Sequence, residues 1–161
     1  MSEPNSRVEI RRILVGLDGS PREARVLDTA ADLATRYSAS LVLMRAVGLP
    51  PEIPPEAWQN PALSVKEFLE AKALEGLERM ARLLPPAVRA SCRLEVVVAT
   101  PWQGLCVGAQ SMEADLIVIG SHGYGGLDRV LGTTAGRVVN HALCSVLVVR
   151  SLPDAGSLRL S

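Results

Sequence analysis

A chain of 161 residues, 48% of them hydrophobic, is the size of a single domain and can bury a core without disulfide staples. Its 17 Lys and Arg balance 17 Asp and Glu, so no net field draws it to nucleic acid or to an anionic membrane surface, and neither is expected as a partner. With two Trp, two Tyr and one Phe, the core must come from Ala, Val, Leu and Ile.

In chain order, the first apolar run is Ile13 to Leu17, followed by Ser20-Pro21-Arg22-Glu23. Ser20 is placed to cap a helix, Pro21 suits its first position and Glu23 closes a capping box, so a helix is expected from there to about Tyr37. Leu41 to Val47 is the second strand. Gly48 to Leu63 carries five prolines and Trp58, too long for a plain connector; it is a lid, a partner-contacting loop or a bland insertion. Ser64-Val65-Lys66-Glu67 repeats the capping box and opens a second helix, with Phe68, Leu69, Leu77, Met80 and Leu84 for its buried side and Pro85-Pro86 as its stop. Leu94 to Ala99 is a third strand, Trp102 to Met112 a third helix, Leu116 to Ile119 a fourth strand. A fourth helix starts near Ala135, and Val146 to Val149 is the last strand.

Short continuous apolar runs are the mark of strands covered on both faces. The alternation therefore predicts a single α/β domain, a doubly wound five-stranded parallel sheet of Rossmann-like type with helices on both faces, and a core from about residue 10 to 151 between short tails. Such sheets bind ligands beyond the carboxyl ends of their strands. No apolar stretch approaches the roughly 20 residues of a membrane helix, and the N-terminus lacks the features of a secretory signal, so a cytoplasmic, membrane-free chain is expected. Cys92, Cys106 and Cys144 are widely spaced, with no C-x-x-C, which argues for core thiols over a disulfide framework or zinc site.

The most informative stretch runs from the fourth strand through Gly120-Ser121-His122-Gly123 to Gly132-Thr133-Thr134 before a helix. Glycines allow close backbone approach to an anion, and the free amides and positive end of the helix attract phosphate. Thr133 and Thr134 add hydroxyl donors. A Walker A loop is excluded because Lys66 and Lys72 are the only lysines and both lie in the second helix. Gly16-Leu17-Asp18-Gly19-Ser20-Pro21 lacks the Rossmann glycine spacing. Asp18, at the carboxyl end of the first strand, is placed either to accept from a ligand or to make an Asx-turn. His122 is placed to contact phosphate or to fill its loop. Arg45, Arg129 and Arg137 are lesser candidates for extra charge, each more simply read as solvated. Asn140 and His141 suit the end of their helix, and Ser121 with His122 makes a poor nucleophile-base pair.

Gly120-Ser121-His122-Gly123, Gly132-Thr133 and Val146-Leu147-Val148-Val149-Arg150, with Ile13 to Ser20 at the first strand, resemble the universal stress protein family, and its ATP-binding branch in particular. The family signature G-x2-G-x9-G-(S/T) is one residue short here, with eight residues between Gly123 and Gly132, and Ser145 stands where the family commonly has Pro. The resemblance implies ATP, with Mg2+, across the carboxyl edge of the sheet. Asp18 would approach the adenosine, Ala46 would offer backbone bonds to adenine, Gly120 would lie near the ribose, and Gly123, Gly132, Thr133 and Thr134 would hold the phosphates. It also implies a homodimer through Val146, Leu147, Val148 and Val149, consistent with an apolar edge strand that invites pairing. The function so read is a regulatory, stress-response nucleotide module. The alternatives are a slow ATPase or phosphate-transfer enzyme using His122 or a loop threonine, and a nucleotide-free dimeric interaction protein. Related sheets in electron-transfer flavoproteins and ATP-pyrophosphatases are disfavoured because no Ser-Gly-Gly-x-Asp-Ser loop appears.

Overall fold

The computed structural model describes residues 9–50, 52, 55, 63–121 and 131–150. Among the described residues five strands, β1 (Arg12–Gly16), β2 (Ser40–Val47), β3 (Arg93–Val98), β4 (Leu116–Gly120) and β5 (Ser145–Val149), form one sheet in the order β3-β2-β1-β4-β5. Every neighbouring pair is parallel. The helices are α1 (Glu23–Tyr37), α2 (Val65–Arg82), α3 (Pro86–Ala90), α4 (Pro101–Ser111) and α5 (Thr133–His141). The expected doubly wound α/β sheet is therefore present.

Alternation along each strand divides the core into two layers. Ile13, Val15, Leu41, Leu43, Leu116 and Val118 meet α1, α2 and α3 on one face. Leu14, Val42, Met44, Ile117 and Ile119 meet α4 and α5 on the other. Ile13, Leu14, Val15, Leu41, Leu43, Ile117 and Val118 are fully buried, which is why these strands read as unbroken apolar runs. At the amino edge of the sheet, Asp115 Oδ2 accepts from Arg11 N and Arg12 N at 2.8 and 2.9 Å, tying the start of β1 to that of β4.

The Ser64 box of α2 forms as read: Ser64 Oγ accepts from Glu67 N at 3.2 Å, and Glu67 accepts from Ser64 N at 2.7 Å. The bond from Ser64 N to the ionised carboxylate is the main cause that holds Glu67 below its ordinary pKa. The start of α1 differs from expectation. The helix begins at Glu23 with Arg22 as its unassisted cap, and Glu23 turns back to Gly19 N and to Arg45 instead of closing a box. Ser20 N, the amide such a box would use, donates instead to Asp18 Oδ1 at 3.0 Å, and Arg45 gives the Glu23 carboxylate a charged partner. Pro85-Pro86 ends α2 but also starts a further turn, α3, because Pro86 occupies a first helical position where its missing N–H costs nothing. Cys92, Cys106 and Cys144 are free and half-buried, and burial pushes all three thiols up in pKa. Among the described residues, no helix is long and apolar enough to cross a membrane.

Candidate functional site

The first three strands wind outward in one direction from β1 and the last two in the other, so the winding reverses between β1 and β4. Diverging connections leave a crevice at such a point, beyond the carboxyl ends of the strands. A cavity of about 430 Å³ opens there. Its floor is Gly16, Met44, Ile119 and Gly120 at the strand ends, with walls from Leu17, Val26 and Leu105. The first residues of α1, α4 and α5 (Glu23, Pro101 and Thr133) all reach it. A volume in the few-hundred-Å³ range with apolar walls and a few polar groups is what a small ligand requires.

Gly16 is at the floor because nothing larger fits. A Cβ built there would stand 2.8 Å from Ile119 Cγ2 and 2.9 Å from Leu105 Cδ2. Gly104 and Gly108 play the matching part on α4: a Cβ at Gly108 would stand 2.4 Å from Met44 Cε, and one at Gly104 2.9 Å from Val97 Cγ2. The small residues let α4 press on β2 and bring Pro101 and Leu105 to the cavity.

The α5 end of the cavity is built by the termini of the glycine stretch. Ser121 N donates to Val149 O at 3.0 Å, and Ser121 O accepts from Gly132 N at 3.2 Å, so the loop leaves β4 and enters α5 at one point. Gly132 is the cap residue of α5 and has no side chain to spend its amides on. The first amides of the helix, beside Thr133 and Thr134, are therefore left without intrahelical partners at the cavity. Farther along α5, Arg137 lies over Trp102 at 5.8 Å, and the His141 ring packs on Trp102 at 4.8 Å with its Nδ1 2.8 Å from Arg137 O. Arg137 is exposed, as its reading as a solvated residue expects, with the Trp102 ring beside it.

Of the residues singled out in the sequence, Asp18, Ala46, Gly120, Thr133 and Thr134 line this one cavity. Gly132 sits directly before them, buried at the cap. His122, Gly123 and Arg129 lie outside the described residues. Asp18 is exposed, and its Oδ1 accepts from Ser20 N at 3.0 Å, the Asx-turn that its position allowed. Arg45 is not solvated: its Nη2 pairs with Glu23 Oε2 at 2.8 Å, each side chain only 14% exposed. Glu23, Gly16, Met44, Pro101 and Leu105 were not read as site residues. Glu23 was hidden by its fit to a capping motif, and the others look in sequence like any core residue.

With this geometry in view, the universal stress protein family matches residues 9–150. The chain belongs to that family. Universal stress protein A homolog 1 of Coxiella burnetii is 29% identical over 140 residues, 86% of this chain and 95% of that protein. Among solved structures, the universal stress protein UspA from Lactobacillus plantarum is 27% identical with a TM-score of 0.71, over 88% of this chain and 99% of that one. A universal stress protein solved in complex with cAMP is 25% identical with a TM-score of 0.62, over 89% of this chain and 99% of that one. Family membership therefore extends over the sheet and every element that forms the cavity.

Proposed function

We propose that this chain is an adenine-nucleotide-binding universal stress protein that takes ATP with Mg2+ and acts in the cytoplasm as a regulatory, stress-response module. The observation that carries the reading is the cavity at the winding reversal, which joins an apolar slot fit for a purine to the amide end of α5 fit for phosphate. Asp18 would lie at the adenosine, Ala46 would offer its backbone to the base, and Gly120 would lie by the ribose. His122, Gly123, Gly132, Thr133 and Thr134 would hold the phosphates. The family relative in complex with cAMP supports an adenine ligand.

Charge supports the metal. The described lining residues carry two carboxylates, Asp18 and Glu23, against one guanidinium, Arg45, which Glu23 already engages. A polyphosphate entering such a site needs a divalent cation to offset its charge. Among the described residues no three His, Cys, Asp or Glu side chains cluster as a metal site, so the phosphates themselves would be the main ligands of the ion. The test is to denature freshly purified protein, identify released nucleotide by mass, and run thermal melts with ATP, ADP, AMP, cAMP, NAD and FAD, with Mg2+ or EDTA. ATP with Mg2+ is expected to raise the midpoint, since a ligand at about 100 times its Kd adds about 2.7 kcal/mol, and EDTA to remove most of the rise. No released nucleotide and no shift with any adenine nucleotide would overturn the reading.

The module is proposed to work as a homodimer through Val146, Leu147, Val148 and Val149. The strand β5 is an edge of the sheet, Leu147 is 36% exposed, and Leu143 just before it is 83% exposed. An uncovered apolar edge is a template for a second strand. Leu147→Lys is expected to turn a dimer into a monomer with little change in fold, read by sedimentation equilibrium. A wild-type chain that sediments as a monomer at tens of micromolar, roughly the range in which weak encounters still associate, would remove the dimer.

A further inference from the structure

Glu23 and Arg45 line the cavity and contribute their charge to it, but neither is among the residues proposed above to hold the nucleotide. Their ion pair holds more than itself. Arg45 Nε donates to Leu17 O at 3.3 Å, and Glu23 Oε2 accepts from Gly19 N at 2.8 Å. Leu17 and Gly19 flank Asp18, so the backbone on both sides of that residue is tethered to one nearly buried pair. Gly19 takes a φ of +80°, a conformation in which the turn depends on glycine and on what holds it. The guanidinium also lies against α2. A Cβ on Gly76 would stand 2.4 Å from Arg45 Nη1, and one on Gly19 3.4 Å from the same atom. Glycine inside a helix is unfavourable relative to alanine, and the space it leaves at position 76 is filled by Arg45.

The geometry points to Glu23 and Arg45 as positioning residues that fix the Asp18 turn for the nucleoside end of the bound nucleotide, with Gly76 of α2 giving the guanidinium its room. This inference rests on the nucleotide reading above. A turn released from the pair samples other conformers, and affinity falls with the fraction that remains competent. The phosphate end stands on α5, a different element, so the loss is confined to the part of the ligand that meets the turn.

The test uses the full chain with two probes, ATP with Mg2+ and inorganic tripolyphosphate with Mg2+, the second having phosphates but no nucleoside. Glu23→Ala is expected to weaken ATP about tenfold, the loss of a charged hydrogen bond, and not to weaken tripolyphosphate. Exchange of the Gly19 amide hydrogen should accelerate. Gly76→Ala improves helix propensity yet should weaken ATP by displacing the guanidinium, and should have no such effect in an Arg45→Ala background. Unchanged ATP affinity in these variants, or equal losses of ATP and tripolyphosphate, would overturn the assignment. If Glu23→Ala does not fold, Glu23→Gln and Gly76→Ala carry the same comparison. If the wild-type chain binds no ATP, the nucleotide reading fails by itself, and amide exchange decides the rest: a Gly19 rate equal in wild type and variant removes the positioning role too.

Discussion

Thr134→Glu is expected to weaken nucleotide binding by at least about 100-fold while leaving the unliganded protein as stable as before or slightly more so. Thr134 is the second residue of α5, half-buried, and lines the cavity. A carboxylate in the first turn of a helix interacts favourably with the helix dipole, by about 0.3–1 kcal/mol, so the substitution favours the fold. The same carboxylate takes the place of a phosphate and repels what remains. Two unit charges about 4 Å apart at an effective dielectric constant near 20 oppose each other by about 4 kcal/mol, more than the roughly 2.7 kcal/mol that a 100-fold loss requires. Stability and affinity therefore move in opposite directions, which a general disturbance of α5 cannot do. Thr134→Val, which removes only the hydroxyl, should cost about tenfold or less. Calorimetric titration with ATP and Mg2+, beside melts without ligand, reads both quantities. Undiminished binding in Thr134→Glu would show that the phosphates do not reach α5.

The sheet was legible because its physics is local. The central strands β1 and β4 are covered on both faces, so each had to be a short unbroken apolar run, and the runs around Leu14, Leu43, Val97, Ile117 and Val148 stand apart from the helical spacing between them. Boundaries moved by a residue or so: β1 runs Arg12–Gly16 where Ile13 to Leu17 was expected, although Leu17 N still donates to Met44 O at 2.9 Å just past the strand's end. Long-range order was less accessible. The pairing of β1 with both β2 and β4 follows from crossovers, and period alone does not fix it. At the site, the glycines before Thr133 announced a helix start that brings free amides to the cavity, because free amides need no side chain. The apolar walls did not announce themselves, since Leu17, Leu105 and Ile119 differ from other core aliphatics only in what lies beside them. Glu23 was misread because a capping box is a spacing of three residues, whereas its real partner, Arg45, lies 22 residues away on another element.

Ile117→Ala should lower stability by about 3 kcal/mol, the cost of an aliphatic side chain removed from a packed interior. Ile117 is fully buried in β4, opposite Leu14 on one side and Val146 on the other, and packs in the layer that holds Met44, Leu105, Ile119 and Val138. No neighbour is free to collapse into the space, because strands flank it and α4 and α5 press on it. For a chain of this size each kcal/mol moves the midpoint by about 2–4 °C, so a drop of roughly 6–12 °C is expected in a melt without ligand. The cavity shares Met44, Leu105 and Ile119 with this layer, so binding and folding are linked through the same side chains. Nucleotide at about 100 times its Kd should therefore return about 2.7 kcal/mol, most of what the substitution removes. The double variant Ile117→Ala/Thr134→Glu separates the two effects: its midpoint should stay low at nucleotide concentrations that rescue the single variant. Rescue of the double variant would mean that the ligand stabilises the fold from somewhere other than the start of α5.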